Sequence, residues 1–265
     1  MFVLSGFRFL LSAVTDSLLP AQCLNCASVL EQVNALCPDC FSRLHFLRKP
    51  LCYRCGLPLV VSEKEMDYCT SCVAAGEHAV LGSSRAAFIY GSVIKSLLLK
   101  FKHADRLDLA PRLAQWMAQA GEEFFGESER ILVPVPLHWR RLMTRRYNQA
   151  LVLAEQLSRL SGQKVSNVLK RNKATQSHGG HSQAELRFAR FEGAFTVSPK
   201  HVQSIKGKKI LLVDDVRTTG ATLEHCARVL RNAGAVHVDA LVVSLVLPPS
   251  FSVMEEEEKT EEVYG

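Results

Sequence analysis

Two adjacent carboxylates stand between an apolar run and a loop of small polar residues in the stretch LLVDDVRTTGAT at 211–222. We expect Asp214 and Asp215 to end a buried strand and residues 216–222 to turn into a helix. Backbone N–H groups at such a turn, together with the helix N-terminus, form a binding site for an anion. Gly220 lets the backbone approach the anion closely. Further hydroxyl donors come from Thr218, Thr219 and Thr222.

The carboxylate pair restricts which anion suits this loop. Two neighbouring negative charges repel a lone phosphate, but they accept hydrogen bonds from a vicinal diol or hold a hydrated Mg²⁺. A phosphate, a diol and magnesium together indicate a ribose 5-phosphate that carries a charged substituent. The alternative is an ordinary helix N-terminus in which the threonines occur by chance.

Eight of the nine cysteines form four Cys-x-x-Cys pairs within 23–72. The spacing lets both thiolates of a pair face one tetrahedral ion at about 2.3 Å, so the pattern indicates two structural zinc ions. A disulfide framework would require secretion, which the N-terminus does not support. A redox function explains a lone pair but not four pairs in series. The predicted ligands are Cys23, Cys26, Cys37, Cys40, Cys52, Cys55, Cys69 and Cys72.

The sequence leaves open whether neighbouring or interleaved cysteine pairs share an ion. If neighbouring pairs do, the first four cysteines bind one ion and the last four bind the second. Gly56 follows Cys55 and suits the left-handed turn that such a site needs. Cys226 stands alone in a predicted helix and is expected to be a small buried hydrophobic residue.

Four arginines cluster in HWRRLMTRR at 138–146, just after a predicted strand. A guanidinium group binds phosphate oxygens through two parallel hydrogen bonds, so the cluster suits the phosphate groups of a small ligand or of a nucleic-acid backbone. The alternative for each arginine is a solvated basic surface. Trp139 and Tyr147 would either stack on a base or pack within the protein. The arginines are Arg140, Arg141, Arg145 and Arg146.

After residue 80 the sequence alternates between strand and helix patterns. The predicted helices are 92–103, 109–120, 148–162 and 221–234, and the predicted strands are 85–90, 131–136, 192–197, 209–213 and 236–246. This alternation favours a parallel α/β sheet, which binds ligands at the carboxyl ends of its strands. The polar stretch 170–191 is longer than most connections and predicts a lid, a binding loop or disorder.

Composition indicates the domain organisation. With 265 residues, 48% hydrophobic and 22% charged, the chain suits one large and one small globular domain. Residues 1–20 predict an amphipathic helix rather than a secretion signal or membrane span, because Arg8 and Asp16 interrupt the apolar run. Residues 21–80 predict a double zinc-ribbon domain and residues 81–250 the α/β domain. Without a membrane span, the protein is predicted to be cytoplasmic.

The net charge of +6 is unevenly distributed along the chain. The segment 251–265 includes MEEEEKTEEVYG, with six Glu and one Lys, and predicts an acidic disordered tail. The remainder is therefore more basic than the total suggests. A basic body suits phosphate or nucleic acid, although it can also simply face water.

The stretch LLVDDVRTTGAT resembles the phosphoribosyl-diphosphate (PRPP) loop of type I phosphoribosyltransferases. The resemblance implies that 81–250 has the parallel sheet and flanking helices of that fold. It also implies that Asp214 and Asp215 are catalytic and face the ribose hydroxyls. The implied PRPP- and phosphate-binding residues are Val216, Arg217, Thr218, Thr219, Gly220, Ala221 and Thr222.

The order of the motifs narrows the resemblance further. The chain has cysteine pairs, then VPVPLHWRRLMTRRYNQA at 133–150, and then the PRPP loop. This order is similar to that of the competence protein F (ComF/GntX) family. Membership implies a small zinc domain before a phosphoribosyltransferase-like domain, and a link to DNA uptake or to use of DNA as nutrient. The family commonly has a glycine where this chain has Arg146. The segment 170–191 matches only loosely, so no catalytic residue is assigned to it.

Two functions are compatible with these features. The first is a Mg²⁺-dependent phosphoribosyltransferase that displaces pyrophosphate at the ribose C1, with magnesium and arginines stabilising the leaving charge. Its acceptor is unknown, since no base-recognition element is identified. The second is a non-catalytic module that handles single-stranded DNA, uses the fold as a ligand sensor or scaffold, and has proteins of the competence machinery as partners.

Overall fold

The computed structural model describes residues 20–59, 67–76, 79–103, 106–126, 129–137, 146–172, 193–249 and 251. The helix predicted at 1–20 and the acidic tail predicted at 251–265 lie outside these residues, apart from Pro20 and Phe251. Most of the polar stretch 170–191 lies outside them as well. Within the described ranges, no helix combines the length and the apolar character that crossing a membrane requires.

Strands and helices alternate through most of the described chain. The strands are β1 (Ser84–Ile89), β2 (Arg130–Pro134), β3 (Leu169–Arg171), β4 (Phe195–Val197), β5 (Lys209–Arg217) and β6 (His237–Leu245). The α-helices are α1 (Pro38–Ser42), α2 (Thr70–Ala75), α3 (Ser92–His103), α4 (Ala110–Ala120), α5 (Gln149–Ser161), α6 (Val202–Ile205) and α7 (Ala221–Asn232). Short 3₁₀ turns occupy Leu107–Leu109, Glu122–Phe124 and Pro199–His201.

Four strands form one parallel sheet in the order β1-β6-β5-β2. Strand β5 continues to Arg217, beyond the end expected at 213, because β6 pairs with it as far as Leu245. Asp214 and Asp215 therefore lie within the paired part of the strand and not beyond its end. The strand predicted at 192–197 is shorter and lies outside this sheet, since β4 pairs antiparallel with β3.

Each face of the sheet has its own hydrophobic core. Successive side chains of a strand point to opposite faces, so Leu211 and Leu241 belong to one core and Leu212 and Val242 to the other. The first face packs against α3, α4 and α5, and the second packs against α7. Cys226 of α7 is fully buried in the second core, which confirms its predicted packing role.

The cysteine-rich segment crosses the edge of the sheet at β1. Cys23 and Cys40 join the core of the first face, whereas Cys52 and Cys55 join the core of the second. Between them the chain runs along β1, where Leu47 N donates to Ala87 O (3.0 Å) and Ile89 N donates to His45 O (2.8 Å). The cysteine-rich segment and the sheet thus share both cores.

Candidate functional site

The eight paired cysteines form two groups, and each group unites neighbouring pairs. Within a group, the four sulfur atoms lie within 4.8 Å of one another, the spread expected around a tetrahedral zinc ion with Zn–S bonds of about 2.3 Å. Neighbouring pairs, and not interleaved pairs, therefore share a site. The first cysteine group is Cys23, Cys26, Cys37 and Cys40, and the second cysteine group is Cys52, Cys55, Cys69 and Cys72.

The surroundings of the sulfur atoms fit zinc ligation. The amides of Cys37 and Cys69 donate to the Sγ atoms of Cys23 and Cys52, each at 3.3 Å, and such bonds stabilise thiolates. Burial raises the pKa of the Cys40 thiol to about 12, so this ligand needs a nearby cation in order to ionise. A zinc ion supplies that charge, and its binding is then coupled to folding.

The two carboxylates of the predicted PRPP loop point to opposite sides of β5. Lys102 of α3, on the first face, places its Nζ 2.5 Å from Asp215 Oδ2. Asp214 lies near Cys226 of α7, on the second face, where burial and then the charge of Asp214 raise the pKa of the Cys226 thiol. Asp214 Oδ1 also accepts a hydrogen bond from the amide of Asp215 at 2.8 Å. Strand alternation explains this divergence.

Asp214 occupies a position where a negative charge is unfavourable. Burial, and then the charge of Asp215, raises the pKa of Asp214 to about 8, although Lys102 and Arg171 act in the opposite direction. A carboxyl group with a strongly raised pKa at the carboxyl end of a strand is typical of a functional site. A cation or a hydroxyl donor bound there would stabilise the ionised form of Asp214.

Lys102 and Arg171 are two cations of this site that the sequence did not indicate. The side chains of Lys102 and Asp215 are only 18% and 14% exposed, which strengthens their interaction relative to a surface ion pair. The two residues are far apart along the chain, and no spacing pattern connects a lysine near the end of α3 to β5. Arg171 ends β3, inside the segment that was predicted to be a polar loop.

Residues 218–220 connect β5 to α7. Gly220 has φ +81°, and a Cβ atom there would lie 3.0 Å from Arg217 Nε, so both backbone conformation and space favour glycine. Thr218 and Thr219 are exposed, and α7 begins at Ala221. The first turn of a helix offers N–H groups that have no helical partner. The turn, the hydroxyls and the helix N-terminus are thus brought together as expected.

The other residues of the predicted PRPP loop have different surroundings. Val216 packs against the core of the first face. Arg217 directs its side chain to the main-chain carbonyl of Cys55 in the second cysteine group. Ala221 and Thr222 are half-buried in the first turn of α7. The exposed hydroxyls therefore belong to Thr218 and Thr219, which lie at the centre of the loop.

Three of the four arginines of the predicted cluster, Arg140, Arg141 and Arg145, lie outside the described residues, as does Trp139. Arg146 is described and has φ +64°, a left-handed conformation that explains why the family commonly has glycine there. The hydroxyl of Tyr147 donates to the Phe101 carbonyl, and the two ring centroids are 6.1 Å apart. Tyr147 therefore packs against α3, which favours the packing alternative over base stacking.

Two family models match this chain. Residues 14–73 match the double zinc ribbon domain, and all eight predicted zinc ligands lie within that range. Residues 147–251 match the phosphoribosyl transferase domain, a range that runs from Tyr147 through β5, the loop and β6. The two matches agree with the two cysteine groups and with the parallel sheet flanked by helices.

Curated relatives match over most of the chain. The competence protein ComFC of Bacillus subtilis (strain 168) is 27% identical over 206 residues, which is 78% of this chain and 82% of the relative. Competence protein F of Haemophilus influenzae is 27% identical over 223 residues, 82% of this chain and 93% of the relative. The DNA utilization protein YhgH of Escherichia coli O157:H7 is 30% identical over 222 residues, 77% of this chain and 87% of the relative.

These similarities extend over most of the chain and accompany the motifs in the order that the sequence predicted. Because two four-cysteine zinc-ribbon sites precede a phosphoribosyl transferase domain, and because the relatives match over most of their own length, the chain belongs to the competence protein F (ComF/GntX) family.

Proposed function

We propose that this protein binds PRPP, or a related ribose phosphate, together with Mg²⁺ at the carboxyl end of β5, and transfers the phosphoribosyl group to an acceptor. The observation that carries the proposal is the strand–turn–helix at 211–222, in which a carboxylate pair precedes a left-handed glycine and a helix N-terminus. The match to the phosphoribosyl transferase domain supports it.

The phosphate loop, residues 218–222, is the proposed site of the 5-phosphate. The N–H groups at the start of α7 and the exposed hydroxyls of Thr218 and Thr219 are suitable donors. The left-handed Gly220 turns the main chain sharply, and its lack of a side chain lets the turn lie close to the Arg217 guanidinium. Substitution by a bulky residue would remove both properties.

Asp214 and Asp215 are the proposed partners of the ribose hydroxyls. A carboxyl whose pKa is raised to about 8 gains stability when hydroxyl groups donate to it or a cation lies near it. Oxygen ligands of this kind also suit Mg²⁺. When bound, magnesium would stabilise the negative charge that develops on the departing pyrophosphate. Lys102 adds a positive charge of the protein itself beside Asp215.

The arginines of 138–146 complete the proposal. Arg140, Arg141, Arg145 and Arg146 follow β2, which lies beside β5 in the sheet. Since ligands of parallel sheets bind at the carboxyl ends of the strands, the arginines are proposed to bind the pyrophosphate group. The two zinc ions have a structural function in this scheme, because four cysteines leave no open coordination position.

Calorimetry with PRPP and Mg²⁺ tests the binding proposal. We expect the double variant Asp214→Asn, Asp215→Asn to bind PRPP about a hundredfold more weakly than the wild type, because neutral amides replace the two acidic groups proposed to accept from the ribose hydroxyls and to bind Mg²⁺. Glu155→Gln, an exposed change on α5, is the control and should bind as the wild type does. Equal affinity of the double variant would mean that the loop has been misinterpreted.

A screen for pyrophosphate release then tests whether transfer occurs. Purified protein is incubated with PRPP, Mg²⁺ and one nucleobase at a time, and released pyrophosphate is measured. Release that depends on both the base and Asp214 would identify the acceptor. Binding of PRPP without release with any base would support a ligand sensor and not an enzyme.

A second candidate function is the handling of single-stranded DNA, which the names of the relatives favour as competence and DNA utilization proteins. If Arg140 and Arg141 bind the DNA backbone, replacing both by glutamine should flatten the dependence of affinity on salt. On a single strand, each lost phosphate contact changes the slope by about 0.7. A DNA affinity that ignores both salt and these arginines would contradict this function.

A further inference from the structure

We propose that the second cysteine group supports the phosphate loop, and that Arg217 and Glu224 are the positioning residues that fasten the loop to it. Arg217 precedes the loop and Glu224 follows it, so both ends are anchored. The proposal rests on the proposed function, because it takes the ligand of the loop to be a sugar phosphate.

Arg217 links the start of the loop to a predicted zinc ligand. Its Nη1 donates a hydrogen bond to the main-chain carbonyl of Cys55. Its Nε and Nη2 lie directly beneath the turn, since a Cβ atom on Gly220 would be 3.0 and 3.4 Å from them. The guanidinium group therefore fills the space between the second cysteine group and the turn.

In this position the guanidinium group of Arg217 leaves its Nε atom without a hydrogen bond to any residue that the structure describes. The atom is also buried. Buried polar groups without partners are uncommon in native proteins and call for an explanation. Support of the turn provides one, because the guanidinium reaches the Cys55 carbonyl by lying under Gly220.

Glu224 links the far end of the loop to the chain that leaves the second cysteine group. Its two carboxylate oxygens accept hydrogen bonds from the amides of Val80 (2.7 Å) and Leu81 (3.1 Å). A carboxylate that accepts two backbone N–H groups is a strong, charge-assisted arrangement. Glu224 lies in the first turn of α7, so these bonds also hold the helix N-terminus that borders the loop.

The second cysteine group is itself held firmly against the sheet. Ser84 N of β1 donates to Arg54 O at 2.7 Å. A Cβ atom on Gly56 would lie only 2.4 Å from Ser84 O, so the two backbones are in direct contact. The first cysteine group is attached elsewhere: Arg112 of α4 donates to Asn34 O at 2.9 Å. The second group can therefore transmit its position to the loop.

The loop should respond to the loss of this support in two ways. Without Arg217, or without zinc in the second group, residues 218–222 should open more often and exchange their amide hydrogens faster. Sugar-phosphate affinity should fall at the same time, because the loop must then be ordered by the ligand. By thermodynamic reciprocity, PRPP should in turn raise the zinc affinity of the second group.

The test compares full-length, zinc-loaded Arg217→Met, Arg217→Lys and Arg112→Met with the wild type. Hydrogen exchange of 218–222 is measured without ligand, zinc content by elemental analysis, and PRPP affinity by calorimetry with Mg²⁺. Arg217→Met should keep both zinc ions, exchange about tenfold faster at 218–222 and bind PRPP about tenfold more weakly. Arg217→Lys should recover part of the protection. Arg112→Met, which breaks the hydrogen bond to Asn34 O beside the first cysteine group, should leave the loop unchanged.

A second pair of variants tests the contribution of zinc directly. Cys72→Ser and Cys26→Ser each should lose one zinc ion, but only Cys72→Ser should accelerate exchange at 218–222. If either serine variant fails to fold, the Arg217 variants, which retain every cysteine, still test the proposal.

Unchanged exchange at 218–222 in Arg217→Met would overturn the proposal, and so would an equal acceleration throughout the protein. Failure of the proposed function gives a different result. In that case the exchange changes as expected in Arg217→Met, while the wild type binds no PRPP in the presence of Mg²⁺.

Discussion

The two cysteine groups have the same ligands but different surroundings. In the first group Cys26 is exposed, and the group packs on the face of the sheet that α3, α4 and α5 cover. In the second group Cys52, Cys55 and Cys69 are buried, and the group packs on the face that α7 covers. Two zinc sites with a common ligand set thus differ in what they can support, because their neighbouring backbone contacts different elements.

The largest expected difference between the groups concerns their stability. Cys52→Ser should destabilise the protein by several kcal/mol, because metal binding is coupled to folding and because Cys52 is 0% exposed within the second core. Cys26→Ser should lower the melting temperature less, because Cys26 is exposed. Thermal unfolding with zinc analysis checks both. An equal loss of stability in the two variants would contradict the expected difference between the cysteine groups.

A matched pair of substitutions at the turns of the two groups comes next. Gly56 follows Cys55 with φ +71°, and Ala27 follows Cys26 with φ +62°. Gly56→Ala should destabilise the protein by about 2–4 kcal/mol, since it adds left-handed strain and a clash with Ser84 O. Ala27→Gly should change stability by less than about 1 kcal/mol, because strain relief and unfolded-state entropy oppose each other. Chemical denaturation measures both values.

The pH dependence of stability should reflect the carboxyl group near the second core. The pKa of Asp214 is about 8 in the folded protein and about 3.9 in an unfolded chain. The folded state therefore holds this proton more tightly, and the contribution of Asp214 to stability falls as the pH rises from about 4 to about 8. Asp214→Asn removes this dependence and should stabilise the Mg²⁺-free protein by about 1–3 kcal/mol at pH 8, with little effect near pH 4.

Thermal melts across that pH range provide the measurement. Asp39→Asn, an exposed change beside the first cysteine group, is the control and should leave the profile of the wild type unchanged. If the stabilities of the wild type and of Asp214→Asn changed with pH in the same way, the assignment to Asp214 would be contradicted.

The smallest expected effect distinguishes two lysines of α3. Lys100 donates to the Asn25 carbonyl within the first cysteine group, whereas Lys102 pairs with Asp215. Lys102→Met should raise the affinity for Mn²⁺ alone about tenfold, since the ammonium group no longer competes for the carboxylate. Lys100→Met should leave Mn²⁺ affinity unchanged and lower stability slightly. Mn²⁺ titration followed by paramagnetic resonance checks the pair.

Much of the fold was predictable because its patterns are local. Helix α3 has the bounds that periodicity predicted, 92–103, and α4 begins at Ala110, one residue after its predicted start. The competence protein F family and the parallel sheet with flanking helices are confirmed. The assignment of Asp214, Asp215 and the phosphate loop to a ligand stays a prediction.

The errors arose where long-range pairing determines the outcome. The end of β5 was placed too early, because the apolar run stops at Val213 while the partner strand β6 extends the ladder to Arg217. Strand β3 was missed because three residues carry too short a pattern. For the same reason β4 could not be assigned to β3 instead of to the main sheet.

The sequence by itself determined the chemistry that is available: eight thiols in four pairs, two adjacent carboxylates and a glycine that permits a left-handed turn. Tertiary structure alone decided how these groups combine. It joined neighbouring cysteine pairs, brought Lys102 to Asp215, and placed the Arg217 side chain between Cys55 and Gly220. The physical reason is that cysteine spacing and strand or helix patterns act over a few residues, whereas the contacts between α3, β5 and the second cysteine group depend on how the sheet packs its two faces.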